Sequence, residues 1–418
     1  MNKTFFAMSS ALMLSACGGG GGGGSSAPPP PPLQISLSAS SGSASATEGN
    51  TQTILTTTAT LSGTIPAGAI ADVQYDKTVF ASVTAAAGAT SSTYTITAQT
   101  LPDLGGGDYK GNITFRLCRE VACTNVHAGS ATTYNYYINV KLQDWQTHQR
   151  NTSHTGYVHV TLDPTKFAKA WEWNHPESTG SGISAVTTYG GNVVITRGSS
   201  FSYPGTVFAV NEVTGTTNWN TSIPNIASIG TPSSHNGKIY VPAIGSSQDN
   251  AVYVFDAVKG TYLYKSIFYA QWTMPGAAVP FKDNFYVASG YYGGEVSSHS
   301  DLNGDINWRT MSTIGNAWGG QSPAVDDAYV YYTSGSGLMV FNRATGAVNA
   351  AITDPLGTWN GYDYYGSPII AANNTVIALS GQGGYYASRP LIRFDIANKS
   401  VLWRQRRDIR LHLPMPRA

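Results

Sequence analysis

The sequence predicts an all-β protein in which a β-sandwich precedes a β-propeller of four-stranded blades, with about five blades visible and the ring incomplete. Three observations carry this. The string VFAVNEVTGTTNW at residues 207–219 has four further copies at steps of about 42 to 53 residues, and strand-built repeats of that period are propeller blades. The stretch before the copies alternates small polar with apolar residues, as in TYTIT at 93–97 and ITFRL at 113–117; that is the two-residue period of half-buried strands. Glycines punctuate both regions, at Gly63, Gly68 and Gly105 to Gly107 in the first and at a fixed place in four of the five copies, where tight turns call for them.

Residues 1–17 carry Lys3, an apolar run at 5–14 too short to span a bilayer, and small residues before Cys17. They resemble a bacterial lipoprotein signal with its lipobox. That resemblance implies cleavage before Cys17, acylation of Cys17 and, with Gly18 rather than aspartate next, an outer-membrane anchor facing the periplasm or the cell surface. Residues 18–33 hold seven glycines in a row and five prolines in a row, a flexible then stiff tether that cannot order itself by apolar burial.

Residues 34–142 form the predicted sandwich. Length, short strands and turn spacing make it similar to an Ig-like domain in architecture, without the widely spaced cysteines and buried Trp of antibody domains. Cys118 and Cys123 are expected to form a local disulfide in an exported chain. With His127 they would make only an incomplete zinc site, so no metal is expected, and with Cys17 acylated no thiol is left as a nucleophile.

Residues 144–405 are measured by the repeat. The polar anchors Asn211, Asp256, Ser300, Asn342 and Asp395 each stand eight residues before Trp219, Tyr264, Trp308, Ala350 and Trp403. The apolar tetrads before the anchors are VFAV, VYVF, VSSH, LMVF and LIRF, the third degenerate. Gly215, Gly260, Gly304 and Gly346 fall four residues before the last position, and Lys399 takes that place in the fifth copy. These are the third and fourth strands of each blade. Inner strands are expected after Pro232, Pro323 and Pro368, and second strands in NGKIYV, KDNFYV, DDAYVY and NNTVIA.

Alternating strand direction sends the turns between first and second, and third and fourth, strands to one face of the disc. The other face takes the second-to-third and interblade connections, which are long and aromatic. Trp272, Trp318, Trp359, Tyr362, Tyr364 and Tyr365 lie between blades, and Tyr291, Tyr292, Tyr385 and Tyr386 within them. Two readings stand: blade-to-blade packing for the tryptophans, and a binding surface whose rigid amphipathic rings take a sugar or an extended peptide. These ten are the candidate ligand-binding residues.

The entry segment DWQTHQRNTSHTGY at 144–157, AWEWN at 170–174 and the Asp, Thr-Gly, Trp spacing of the copies together resemble the PQQ-binding-like β-propeller repeat family. Its members include quinoprotein dehydrogenases and the lipoprotein of the outer-membrane barrel assembly machine. The resemblance implies three functions to weigh: a non-catalytic scaffold for protein or glycan, a PQQ-dependent alcohol or sugar dehydrogenase, and an outer-membrane assembly scaffold. A dehydrogenase needs an indole floor for the quinone, calcium held by carboxylate and amide oxygens, and an Asp base. No matching carboxylate cluster is visible. The calcium-like string at 301–305 is in register with the other hairpin turns and lacks the closing Glu. No catalytic residue is assigned, and PQQ with calcium rests on the resemblance alone.

His148, His154, His159 and His175 have no helix-borne pairing and read as polar surface or cap positions. No nucleophile elbow, P-loop or dinucleotide fingerprint is present. A net charge of +1 with 11% charged residues gives no basis for nucleic-acid binding. Only the end departs from this: residues 406–418 are basic and free of Gly, Ser and Thr, and read as a frameshifted or truncated end. The leading expectation is a lipid-anchored, non-catalytic propeller scaffold.

Overall fold

The computed structural model describes residues 30–174, 183–197, 205–245, 250–270, 276–289, 295–315, 321–334, 336–357, 366–381 and 389–405. Cys17, most of the tether and residues 406–418 lie outside them. The chain divides into two compact units, Met1–Leu104 with Asp108–Asn139, and Gly105–Gly107 with Val140–Ala418. No helix among the described residues is long and apolar enough to cross a membrane.

The first unit has eight strands: β1 (Gln34–Leu37), β2 (Ser41–Thr47), β3 (Ile54–Ser62), β4 (Ile70–Gln74), β5 (Phe80–Ala87), β6 (Thr93–Thr100), β7 (Gly107–Cys118) and β8 (Val126–Lys141). They form two four-stranded sheets, ordered β1-β3-β6-β5 and β2-β8-β7-β4. The sequence alternation sets the faces: along β3, Leu55, Thr57, Ala59 and Leu61 are buried while Ile54, Thr56, Thr60 and Ser62 face solvent. The buried faces meet where Phe80 stands edge-on to Tyr136 at 4.8 Å and Tyr94 leans on Phe115 at 5.4 Å. Cys118 and Cys123 are disulfide-bonded across the turn that follows β7.

The second unit contains five antiparallel sheets in sequence order. Blade 1 is β9 (Thr187–Tyr189), β10 (Asn192–Arg197), β11 (Gly205–Asn211) and β12 (Thr217–Ile223). Blade 2 is β13 (Ile226–Ile229) and β14 (Ser233–His235), both on β15 (Lys238–Gly245), then β16 (Ala251–Asp256) and β17 (Tyr262–Ile267). Blade 3 is β18 (Val279–Phe281), β19 (Asn284–Ser289), β20 (Glu295–Ser300) and β21 (Ile306–Met311). Blade 4 is β22 (Ala324–Val325), β23 (Tyr329–Ser334), β24 (Gly337–Asn342) and β25 (Val348–Thr353), and blade 5 is β26 (Ile369–Ala371), β27 (Thr375–Leu379), β28 (Leu391–Asp395) and β29 (Ser400–Arg404). Every third-to-fourth pairing slips by one residue at the same place, two residues before the anchor, as at Ala209/Val210 and Val340/Phe341. A bulge there bends the strand and adds twist.

The anchors build the turns. The Oδ1 of Asn211, Asp256 and Asn342 each accepts two backbone N–H groups from the next three residues, and the glycine that follows adopts φ of +69° to +73°. The aromatic at the end of the repeat then locks one blade to the next. Trp219 Nε1 donates to Ala257 O at 3.1 Å, Tyr264 OH to Asp301 O at 2.5 Å and Trp308 Nε1 to Arg343 O at 3.0 Å. Trp171, ahead of blade 1, does the same to Glu212 O at 2.9 Å. Each ring lies on the next blade's hairpin glycine, so a Cβ on Gly260 or Gly346 would stand 2.5 Å from a ring atom. Two residues further on, a hydroxyl from Thr221 or Thr310 donates to that glycine's carbonyl at 2.6 and 2.7 Å. The fifth hairpin confirms the logic. Ala350 replaces the aromatic, the glycine opposite is Lys399 at φ +52°, and Lys399 Nζ reaches Asn349 O at 2.9 Å.

The degenerate third tetrad is a polar core. His299 is fully buried, stacked on Phe285 at 4.9 Å, with Ser266 Oγ 2.6 Å from Nδ1 and Ser297 Oγ 2.8 Å from Nε2. Ser266 Oγ donates to Gly304 O, so it accepts from Nδ1–H, and Nε2 accepts from Ser297. Asp301, in the calcium-like string, is held by Tyr240 and by Lys238 Nζ at 3.1 Å.

Candidate functional site

The inner strands β9, β14, β18, β22 and β26 neighbour one another in order and present a free edge towards the axis. Buried N–H groups on such an edge need acceptors. Residues 144–154 supply them. Thr188 N donates to Trp145 O at 2.9 Å, Ser234 N to Gln146 O at 2.7 Å, Val325 N to Thr152 O at 2.8 Å and Ile370 N to Ser153 O at 3.0 Å. Thr147 Oγ1 donates to Ala278 O, beside β18, at 3.1 Å. One short segment therefore bonds to all five blades in sequence order. It turns within itself through Gln146 N to Arg150 O at 2.8 Å, with Gln149, Arg150 and His154 at positive φ.

This corrects, at His154, the expectation that the entry histidines are surface or cap positions; His148 is half-buried and His159 is exposed, as expected. His154 is fully buried; its Nδ1 donates to Pro368 O at 2.8 Å, which leaves the lone pair on Nε2, and Nε2 has no partner. Burial, then the neighbouring His148, push the His154 pKa down to about 3. His148 stands edge-on to it at 5.2 Å and is lowered by burial as well. Hydrogen bonds rather than apolar side chains bury this segment, so no hydropathy period marks it. The signal available was its run of Thr, Ser, Asn and Gln just ahead of the first blade.

A cavity of about 430 Å³ opens between the segment and blade 5, lined by His148, Gln149, Gly366, Ser367 and an aliphatic wall that includes Ile369, Ile377 and Leu391. Gln149 Oε1 is buried without a partner. Ser367 Oγ accepts from Ser322 N at 3.0 Å, and beside it Ser322 Oγ and Gln321 Nε2 are also buried and unpaired. Farther out on the face of the long connections, Asn250 Oδ1, Ser289 Oγ and Glu295 Oε1 are unpaired too. Ser289 and Glu295 face each other across β19 and β20, and burial raises the Glu295 pKa against the opposing pull of Arg309. Arg309 in turn lies over the Tyr269 ring at 4.0 Å.

The ten aromatic candidates, Trp272, Tyr291, Tyr292, Trp318, Trp359, Tyr362, Tyr364, Tyr365, Tyr385 and Tyr386, lie outside the described residues, as does His175. Arg404 belongs to β29 and pairs with the buried Asp354. Asp72 gathers with Cys118 and Cys123, but sulfurs bonded to each other offer no thiolate to a metal. The quinone that the family resemblance implies does not fit the described axial residues. Chain atoms of 145–154 occupy the inner edges, and the side chains of that stretch are Trp, Gln, Thr, His, Arg, Asn and Ser, with no Asp or Glu for a calcium-binding carboxylate set.

No curated protein matches this chain. Among solved structures it is similar to BamB from Moraxella catarrhalis, with 16% identity and a TM-score of 0.41 over 60% of this chain and 70% of that one. The Pan2 WD40 domain of Neurospora crassa matches at 11% and 0.36 over 54% and 66%, and KlHsv2 with a loop replaced by a Gly-Ser linker at 10% and 0.34 over 52% and 64%. The family model for the outer membrane protein assembly factor BamB matches residues 154–416, and the chain belongs to that family of propeller repeats.

Proposed function

We propose that this chain is a lipid-anchored, non-catalytic propeller scaffold that binds a protein or glycan on the face of its long aromatic connections. One observation carries the reading: the chain fills its own axis with residues 144–154, the place where a propeller enzyme would seat a cofactor, and leaves unpaired polar groups on the loop face. Cys17 supplies the outer-membrane anchor, residues 18–33 the tether, and the first unit an Ig-like spacer. Membership of the BamB family favours a client or partner in outer-membrane protein assembly over a free glycan.

Photo-crosslinkers placed at Tyr364 and Tyr385, and at the exposed hairpin residues Val213 and Leu302, test this in membranes carrying the full chain. Adducts are expected from the two tyrosine positions and not from the hairpins. Adducts from the hairpins alone would contradict the assignment of the face, and quinone-dependent dye reduction by the purified chain would contradict the non-catalytic reading. Cys17→Ala is expected to release the chain from the membrane fraction.

A further inference from the structure

We propose that the outer face of β7 and β8 in the first unit binds a glycan, with a sugar ring stacked on Tyr137 and its hydroxyls held by the amides and the carboxylate around that ring. This goes beyond the scaffold reading, which gives the first unit only the part of a spacer. On β2 and β3 the outward positions are mostly small hydroxyl residues: Ser41, Ser43, Ser45 and Thr47 on one, Thr56, Thr60 and Ser62 on the other. On β7 and β8 they are Asp108, Lys110 and Asn112, and Asn135, Tyr137 and Asn139. Asn and Asp are depleted in strands because their side chains favour turns, so this grouping works against the local fold. Lys110, Asn112, Asn135 and Tyr137 wall a depression of about 420 Å³, with Gly111 and Tyr136, the alternate positions between them, at its floor. That volume is within the usual range for ligand sites.

Tyr137 is held as a platform. Its OH donates to Asp108 Oδ1 at 2.9 Å, Lys110 Nζ stands 5.0 Å from the ring centroid, and the residue stays 38% exposed. A ring fixed before binding loses little entropy and offers an apolar face with a polar rim. Asn139 Nδ2 donates to the same Oδ1 at 2.8 Å, so Oδ2 of the exposed Asp108 remains to accept from a ligand. The bonds from Asn139 and Tyr137 hold the Asp108 pKa below its ordinary value, which keeps that acceptor ionised. The carboxamides of Asn112 and Asn135, both exposed, each bring donors and an acceptor. A sugar matches this mixture: its C–H face lies on a ring, and its hydroxyls both donate and accept. A protein partner would need a larger apolar core than one ring supplies.

The probe is cellohexaose, an extended neutral glucan with flat C–H faces and hydroxyls along both edges, titrated at pH 7 into the purified full chain and read by ligand-observed NMR. The unaltered chain is expected to bind it. Tyr137→Thr, which installs the kind of outward residue that β3 carries, should weaken binding about tenfold or more through loss of the stacking area. Asn112→Thr and Asn135→Thr should each weaken it about threefold to tenfold, the loss of one hydrogen bond. Tyr137→Phe keeps the ring and gives up only the bond to Asp108, so its affinity should stay within about threefold. No binding by the unaltered chain, or an affinity unchanged in a Tyr137→Thr variant with an intact circular dichroism spectrum, would overturn the proposal, the second by placing the sugar elsewhere on the chain. If Tyr137→Thr does not fold, Asn112→Thr and Asn135→Thr decide it: unchanged affinity in both overturns it.

Discussion

Gly346 has two reasons to be glycine. Its φ of +73° disfavours any side chain, and the Trp308 ring leaves no room for a Cβ. Gly346→Ala should therefore cost more than the usual penalty of about 1 kcal/mol for a left-handed Ala. Trp308→Ala, which empties the same contact from the other side, should cost about 3 kcal/mol. Lys399→Gly, which relieves a left-handed Lys at φ +52° but loses the Lys399 Nζ bond to Asn349 O, should be nearly neutral; urea unfolding of the three variants checks the set. The turn requirement at these glycines was legible from the repeat. The ring on top was not, since it belongs to the preceding blade and the spacing within one copy says nothing of the next. His154 and His299, held down at about 3 and about 4 by burial, bring a pH dependence. Both stay neutral in the fold while the unfolded chain takes up protons below about 6.5, so their contribution is whole above that pH. It falls as pH drops from about 6.5 towards 4 and 3. His299→Gln should flatten the decline in melting temperature between pH 6.5 and 4.5; an unchanged slope would remove His299 from its cause.

At the scale of elements, the segment 144–154 does for the inner strands what a neighbouring strand does in a sheet. Its carbonyls pair N–H groups of β9, β14, β22 and β26 that would otherwise face a narrow channel unpaired. Deleting residues 145–153, which takes away the four accepting carbonyls, should split the unfolding of the propeller into more than one transition by calorimetry. A single transition at the original temperature would contradict that role. The blades themselves were readable, because a repeated anchor, glycine and aromatic fix third and fourth strands by position. The segment was not, because its side chains are polar and its burial comes from backbone hydrogen bonds. The degenerate tetrad 296–299 escaped for a related reason: a Ser–His–Ser network satisfies itself inside the core and leaves no trace in an apolar pattern.

For the whole molecule, the blades are joined by one lock repeated from Trp171 to Trp308, and the last copy ends it. Trp403, in the same register, is 39% exposed where Trp219 and Trp308 are 9%, since among the described residues no glycine hairpin covers it. Trp403→Ala should cost less than about 1 kcal/mol, against about 3 for Trp308→Ala. The face proposed for binding was named from the sequence by counting strand directions, and the unpaired groups at Asn250, Ser289, Glu295 and Gln321 support that proposal. An axis threaded by the chain is the feature on which the scaffold reading depends, and amide hydrogen exchange observes it directly. The amides of Thr188, Ser234, Val325 and Ile370 should exchange as slowly as those of the middle strands, such as Val194 and Val340. Exchange faster by orders of magnitude at these four, with the middle strands still protected, would mean an open channel and no threaded segment.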